Sequence, residues 1–377
     1  MPWTTPTLRT LRQNARSYIM AALQGADALI PNSVLRVMAD VNAGLAHLVL
    51  QFIEWLANEL LPITSTDEWL DRWATLYLLN SDGSKGRKQA SFSSGTLDAT
   101  VISPTGATVA QGTIILGPNG VSYQVTEQAS TATAGTLPMQ VVSLTAGAIS
   151  NLDTGATLSF GSPPVGMLSV ITVVTLTGGA DTETDDQLRY RLLLRLANPP
   201  MGGNANDYVQ WALAVPGVTR AWASPEEMGP GTMTIRFMCD SLRAANNGFP
   251  TGVDITAVQE YIDTVRPVTV KDFFVVPPIA TPINFTIKNL VTNDSTTQAN
   301  IEAALISMLL DKAAPAYAVN GISQPAQTIY VAWIAEAILS AAGVDYFDLY
   351  DINGNAIGDF VMPNDGSLAT LGTIVYG

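Results

Sequence analysis

The stretch Gly178–Ala221 reads GGADTETDDQLRYRLLLRLANPPMGGNANDYVQWALAVPGVTRA. Its glycines and prolines mark the ends of two short predicted helices. A glycine pair opens it, Asn198–Gly203 interrupts it, and Pro216-Gly217 closes it. Thr184, followed three residues later by Gln187, fits a capping box, which predicts a helix that the double proline then stops. The central segment is therefore either a ligand-binding loop or a joint that sets the angle between two helices.

Glycines before a helix start can hold an anion with their backbone amides, as phosphate-binding loops do. Neither Gly178-Gly179 nor Gly202-Gly203 is followed by the lysine of a phosphate loop or by a dinucleotide fingerprint. Glycine in this position more often makes a tight turn. The sequence therefore disfavours ligand binding at both pairs.

The composition points to a large folded protein with an unusually uncharged surface. The chain has 377 residues, of which 47% are apolar, so it can bury a sizeable core and is not mainly disordered. Charged residues make up 13%, about half the usual share, which indicates a surface that meets other protein. The net charge of −14 disfavours nucleic acid as a partner, because phosphate binding needs clustered Lys and Arg.

Few residues are available for metal or redox chemistry. The single cysteine, Cys239, excludes an intramolecular disulfide, and its apolar run predicts a buried thiol on a strand. The single histidine, His47, excludes a His-rich metal cluster. We expect no cofactor and no metal centre, although calcium at Asp181, Glu183 and Asp185 stays a weak alternative without the spacing of an EF-hand.

Residues 1–80 are predicted to be helical, with patterns over Leu8–Leu23 and Ser33–Leu61 and a further helix after Thr66. The second pattern contains too many polar residues for a membrane span and predicts an amphipathic helix, so no membrane insertion is expected. An intermolecular bundle and an intrachain bundle fit it equally well. The candidate interface residues are Leu45, Leu48, Val49, Phe52, Leu56, Leu60, Trp69 and Trp73.

The rest of the chain divides by composition. Residues 81–89, with the basic run Lys85–Lys88, are predicted to be an exposed linker, and 90–177 an all-β domain with turn signals every 8–12 residues. Residues 178–278 and 279–377 each mix helices and strands, and 352–377 predict a C-terminal hairpin. The predicted fold class is therefore α+β and multidomain: an N-terminal helical segment, a small all-β domain and two mixed α+β domains.

The sequence offers little to an enzyme, and we predict none. It has no Gly-x-Ser-x-Gly elbow and no Walker loop, and a Ser/His/Asp triad could use only His47. The paired carboxylates Glu226-Glu227, Asp181/Glu183 and Asp185-Asp186 keep a cell-wall hydrolase open as an alternative. The Thr- and Ser-rich β segment keeps a receptor-binding adhesin open as another.

Several motifs of the chain resemble one family in order and spacing. They are Thr177–Asp185, Leu188–Leu192, Asn198–Asn204, Asp207–Val209, Trp211-Ala212, Val215–Val218 and Gly229–Thr232, with Trp69–Trp73 upstream and Arg266–Val268 downstream. Together they resemble the baseplate J-like family of contractile-tail bacteriophages and related contractile injection systems. The polar insert at 81–88 departs from the family's pattern.

The resemblance implies a structural baseplate wedge protein of the virion tail, assembled in the host cytoplasm. Family members pair within a wedge, bind smaller wedge proteins through N-terminal helices, and form a ring around the central hub or spike, near tail fibre attachment proteins. Two copies per wedge would give about twelve per baseplate. Rearrangement of the ring would trigger contraction of the sheath.

A structural role makes the joint the favoured interpretation of the opening stretch. Prolines stop one helix, glycines permit a sharp reversal, and asparagine starts the next helix. The residues assigned to the joints are Gly178, Gly179, Asn198, Pro199, Pro200, Gly202, Gly203, Pro216 and Gly217.

Overall fold

A computed structural model describes residues 4–23, 25, 27–31, 33–268, 270, 272–319, 322–323 and 327–377. The α-helices in these residues are α1 (Leu8–Ala22), α2 (Val34–Glu59), α3 (Asp67–Tyr77), α4 (Asp185–Ala197), α5 (Ala205–Ala214), α6 (Gly252–Val265), α7 (Ser295–Lys312) and α8 (Val331–Ser340).

The strands of the first half are β1 (Phe92–Val101), β2 (Ala107–Val109), β3 (Ile114–Leu116), β4 (Ser122–Val125), β5 (Ala129–Thr131), β6 (Gly135–Ala146), β7 (Thr157–Phe160) and β8 (Met167–Thr177). Those of the second half are β9 (Arg220–Pro225), β10 (Thr232–Met238), β11 (Asp272–Val275), β12 (Ile279–Lys288), β13 (Ala318–Val319), β14 (Ile322–Ser323), β15 (Thr328–Ile329), β16 (Asp348–Tyr350), β17 (Phe360–Val361) and β18 (Ser367–Tyr376).

The strands β1, β6, β4, β3, β7 and β8 close, in that order, into an antiparallel barrel. The alternation along β1 fits a barrel wall, because Leu97, Ala99 and Val101 all point to the buried interior. Tyr123 and Met139 join them in the barrel core. Closure pairs the backbone groups of both sheet edges. In an open sheet these groups would be unpaired, and a weakly charged sheet has few charged side chains to prevent pairing with another chain.

The barrel is inserted between two helices that pack against each other. Leu70, Ala74 and Leu78 at α3 form one buried cluster with Leu188 and Leu192 of α4. The barrel strands β1–β8 therefore lie between α3 and α4 in the sequence, and the two helices are neighbours in the fold. This packing fixes α3 to the central part of the molecule.

The central domain is a three-stranded sheet, ordered β11-β10-β9, that packs against α5 and α6. The middle strand β10 is buried along almost its whole length, and its charged residue Arg236 is paired with Glu227. Tyr208 of α5, Phe237 of β10 and Ile262 of α6 meet in the core. Cys239 follows β10 and is buried there.

The C-terminal domain has the sheet β16-β12-β18, with a core formed by Phe285, Ile301, Leu305 and Ile334. The predicted C-terminal hairpin is wrong: β17 pairs with β15, whereas β18 runs parallel to β12. This pairing buries Leu368 of β18 in the core, and burial of its apolar surface stabilises the domain. A hairpin with β17, which has only two residues, could not bury as much apolar surface. The predicted α+β multidomain class is confirmed.

Candidate assembly surfaces and the interdomain junction

Helix α2 uses its small residues to pack within the chain. Ala39 and Ala43 are buried, and Arg16 of α1 donates to both carboxylate oxygens of Asp40 at 2.7 and 2.8 Å. Ser33 caps the helix by accepting a hydrogen bond from the Arg36 amide. Small residues let the two helices approach closely, so α1 covers a narrow stripe of α2.

The large apolar residues of α2 lie outside that stripe. Leu48 and Phe52 are 63% and 59% exposed, and no residue of the described chain covers the face they form. This apolar face of α2 comprises Val34, Val37, Met38, Val41, Leu45, Leu48, Val49, Phe52, Ile53 and Trp55, with Leu60 just beyond the helix. A contiguous apolar surface of this kind is a candidate protein interface.

The remaining sequence-predicted interface residues are less open. Leu56 and Trp69 are half-buried. Trp73 is half-buried against the α3–α4 cluster and stacks on Tyr77 with ring centroids 6.1 Å apart. Trp73 thus contributes to packing inside the chain, which its helical spacing alone could not distinguish from an interface role.

Two antiparallel segments connect the barrel to the rest of the molecule, and we call them the neck: Lys88–Ser91 and Gly178–Glu183. The Ser91 amide donates to the Ala180 carbonyl at 2.9 Å, and the Glu183 amide donates to the Lys88 carbonyl at 3.0 Å. Asn151 of the barrel both accepts from and donates to the backbone of Gly179. The barrel is therefore held by two hydrogen-bonded chain segments, a stiffer attachment than one peptide strand.

The prediction that 81–89 is an exposed linker is wrong for Gly86–Lys88, whereas Asp82–Lys85 and Gln89 are exposed. Lys88 is only 7% exposed, and its ammonium donates to the carbonyls of Leu213, Val215 and Val218 at 2.9–3.3 Å. These carbonyls lie at the end of α5, where backbone acceptors lack helical partners. The basic run therefore closes a helix terminus, a role that local sequence does not reveal.

Arg87 and Glu183 complete the ionic junction around the neck. Arg87 donates to the carboxylates of Asp71 at 2.7 Å and Asp185 at 2.6 Å, so it ties α3 to α4. Glu183 accepts from Arg191 at 2.7 Å, with side chains that are 0% and 5% exposed. Arg191 also donates to the side-chain oxygen of Asn80 at 2.7 Å. Arg87, Arg191 and Glu183 are thus each paired with an opposite charge, whereas the Lys88 ammonium is held by backbone carbonyls.

Burial, followed by the nearby Arg191 guanidinium, lowers the pKa of Lys88 from 10.5 to about 7, whereas Glu183 acts in the opposite direction. Below pH 7 the folded and unfolded chains both hold this proton, and Lys88 adds no pH dependence. Between pH 7 and 10.5 the unfolded chain holds one proton more, so the free energy of unfolding increases with pH.

We therefore expect the wild type to gain up to ~1.4 kcal/mol of stability per pH unit above pH 7, relative to Lys88→Met. Urea unfolding of both proteins at pH 7, 8 and 9 measures the difference. Parallel pH profiles for the two proteins would contradict this assignment.

The segment Asn198–Gly203 forms the reversal between α4 and α5. Gly202 and Gly203 have φ of 80° and 118°, and Asn204 caps α5. The carboxylate of Asp207, which is buried, accepts hydrogen bonds from the amides of Met201, Gly203 and Asn204 at 2.7–3.1 Å. Asp207 closes the reversal, and the sequence signal for it was the Asn-x-x-Asp capping box.

Three of the predicted joint glycines have no room for a side chain. A Cβ on Gly179 would lie 2.3 Å from Ser150 Oγ, and one on Gly203 would lie 2.5 Å from Pro267. A Cβ on Gly217, next to Pro216, would lie 2.6 Å from Leu242. Each of these glycines lets one segment approach another closely, beyond the turn it allows.

The residues considered for chemistry are held in structural contacts. Glu227 forms a bidentate, buried ion pair with Arg236 at 2.6 and 2.7 Å. Burial raises the pKa of the Cys239 thiol, with Asp254 adding to the effect, which opposes formation of a thiolate. Asp181 accepts from the Ala148 amide at 2.9 Å. Glu183 and Asp185 are bound to arginines. The three carboxylates considered as calcium ligands, Asp181, Glu183 and Asp185, therefore each accept hydrogen bonds from a different donor.

Among the described residues, none of the helices combines the length and hydropathy needed to cross a bilayer. The same part of the chain contains no group of three or more His, Cys, Asp or Glu arranged to hold a metal ion.

Comparison with known proteins places these domains in a family. The profile of the baseplate J-like protein barrel domain matches residues 96–179, and that of the baseplate J-like central domain matches 200–277. The Mu-like prophage FluMu protein gp47 of Haemophilus influenzae is 32% identical over 320 residues, covering 82% of this chain and 85% of that one. The chain belongs to the baseplate J-like family.

Baseplate protein gp47 of Escherichia phage Mu is 33% identical to this baseplate J-like chain over 263 residues, covering 70% of each. The baseplate of the anti-feeding prophage, solved by electron cryomicroscopy, contains a chain similar at a TM-score of 0.41 and 10% identity, with 96% of both chains covered. The two family profiles and the two gp47 relatives confirm the resemblance seen in the sequence motifs. The barrel match falls on β1–β8, and the central match runs from the reversal before α5 to β11.

Proposed function

We propose that this baseplate J-like chain is a structural component of a phage tail baseplate, assembled in the host cytoplasm and retained in the virion. The similarity to the Mu baseplate protein supports the location. The exposed apolar face of α2 supports the mode of action, because water-exposed Leu48 and Phe52 are stabilised only when another chain covers them.

In this proposal two copies pair within each wedge through α1 and α2, and a helix of a smaller wedge protein completes the bundle. About twelve copies would then form a ring around the central hub or spike, with tail fibre attachment proteins outside it. The observation that supports this arrangement is the apolar face of α2, which α1 leaves uncovered.

The predicted joints would hold geometry and perform no catalysis. The neck, with Gly178 and Gly179, would fix the barrel on the α3–α4 pair. Asn198–Gly203, with its double proline, and Pro216-Gly217 would fix the two ends of α5. When the ring rearranges to trigger sheath contraction, we propose that these bodies move as rigid units.

The mass of the purified chain in solution tests the proposal, measured alone and after mixing with a smaller wedge protein of the same phage. We expect a dimer that takes up one partner for two copies. A chain that stays monomeric and ignores the partner would contradict the wedge role. Lysis of cell walls by the purified chain, lost in Glu226→Ala and Glu227→Ala with assembly intact, would instead favour the hydrolase. Binding of the isolated β domain to host cells would favour the adhesin.

A further inference from the structure

A groove separates the C-terminal domain from the central domain, and it follows the outer edge of β18. Its volume is about 510 Å3. Leu368–Ile374 of β18 form one side, Glu302 and Ile306 of α7 form a second, and Met238–Gly248 of the central domain form the third. A strand edge next to a helix is the geometry in which an extended peptide can add to a sheet.

The outer edge of β18 is unpaired along most of its length. The strand pairs with β12 on one side, and on the other the Ser367 carbonyl accepts from the Ala316 amide at 3.0 Å. Among the described residues, no backbone group pairs with this edge beyond Ser367. Ser367, Leu368 and Ala369 are buried, so the accessible part of this edge begins after them. Because alternate residues of a strand point the same way, the backbone groups of the partly exposed Leu371 face the groove on the same side as the Ser367 carbonyl.

The composition of β18 lacks the usual protection of a strand edge. Its ten residues, SLATLGTIVY, contain no charge and no proline, the features with which proteins block edge pairing. The groove also exposes apolar surface, since Ile306 and Leu310 of α7 are nearly half exposed. An occupant would therefore gain both main-chain hydrogen bonds and apolar contacts.

The charges of the groove indicate what kind of occupant it fits. Arg220 is neutralised by Asp240 at 2.7 Å, whereas Glu302 has no ion pair among the described residues. The Tyr376 hydroxyl donates to the Gln298 carbonyl, one turn before Glu302, so this carboxylate lies beside the C-terminal half of β18. Residues 279–377 contain nine acidic and two basic residues, which makes a second copy a poor occupant.

We propose that β18 receives an extended segment of a different protein as an added strand. That segment would be uncharged along most of its length and would carry one Lys or Arg opposite Glu302. This contact is separate from the helical bundle at α2 and would give the C-terminal domain its own partner.

Ten-residue peptides of alternating threonine and valine, with a single lysine moved through successive positions, are the probes. Fluorescence anisotropy measures their binding to the full chain. We expect one lysine position to bind best, and N-methylation of the amides on one peptide edge to abolish binding while methylation of the other edge leaves it unchanged. Glu302→Gln should weaken the best peptide about threefold, and Glu336→Gln on α8 should not.

Failure of every peptide to bind, or equal tolerance of N-methylation on both edges, would overturn the proposal. Hydrogen exchange of the chain alone adds a second test. If the amide of Leu371 became protected with rising protein concentration, a second copy would be the occupant and the proposal would be wrong.

Discussion

Replacing Leu48 and Phe52 together by aspartate should abolish self-association of the chain and its uptake of a smaller wedge protein. Both side chains are more than half exposed on α2 and face away from α1. Burying each in an interface contributes ~1.5–3 kcal/mol, and the two carboxylates would add a desolvation cost. We expect at least about a hundredfold weaker association, measured by analytical ultracentrifugation.

A matched control places the same two aspartates elsewhere on the surface. Val165 on the barrel and Val291 after β12 are also exposed, so Val165→Asp with Val291→Asp adds equal charge without touching α2. The control should associate like the wild type. Both variants should keep the barrel folded, as amide protection at Leu97 and Ile171 reports. Unchanged assembly of the α2 variant would exclude the helical bundle.

Arg191→Met should destabilise the central domain by about 3–5 kcal/mol. The substitution keeps the apolar stem but leaves the Glu183 carboxylate buried without its counter-charge at 2.7 Å. It also removes the donor to Asn80, so the junction between α3, α4 and the neck loses two hydrogen bonds. Urea unfolding followed by tryptophan fluorescence measures the loss.

Two further variants separate the ionic explanation from a packing effect. Arg72→Met removes an exposed pair with Glu68 at 3.7 Å and should change stability by no more than about 0.5 kcal/mol. Adding Glu183→Gln to Arg191→Met removes the stranded charge and should recover part of the loss. If Arg191→Met cost no more than Arg72→Met, the buried pair would not stabilise the junction.

Local patterns in the sequence predicted the helices, a small all-β domain and the family, whereas closure of that domain into a barrel came from the structure. The cap of α4 at Thr184 and the stop at its double proline are formed within a few residues, where spacing alone specifies the contacts. Alternation and turn signals likewise identified the all-β domain, because the period of a half-buried strand is visible in one segment. The domain boundaries and the joint roles remain predictions.

The sequence by itself determined the α+β class, the low surface charge and the amphipathic character of α2. Only the tertiary structure decided which side of α2 stays uncovered, why Lys88 is buried, and that β18 pairs with β12 instead of forming a hairpin. In each of these cases the contacting residues lie far apart in the chain. Their contact depends on apolar burial and charge pairing between distant segments, which no local period records.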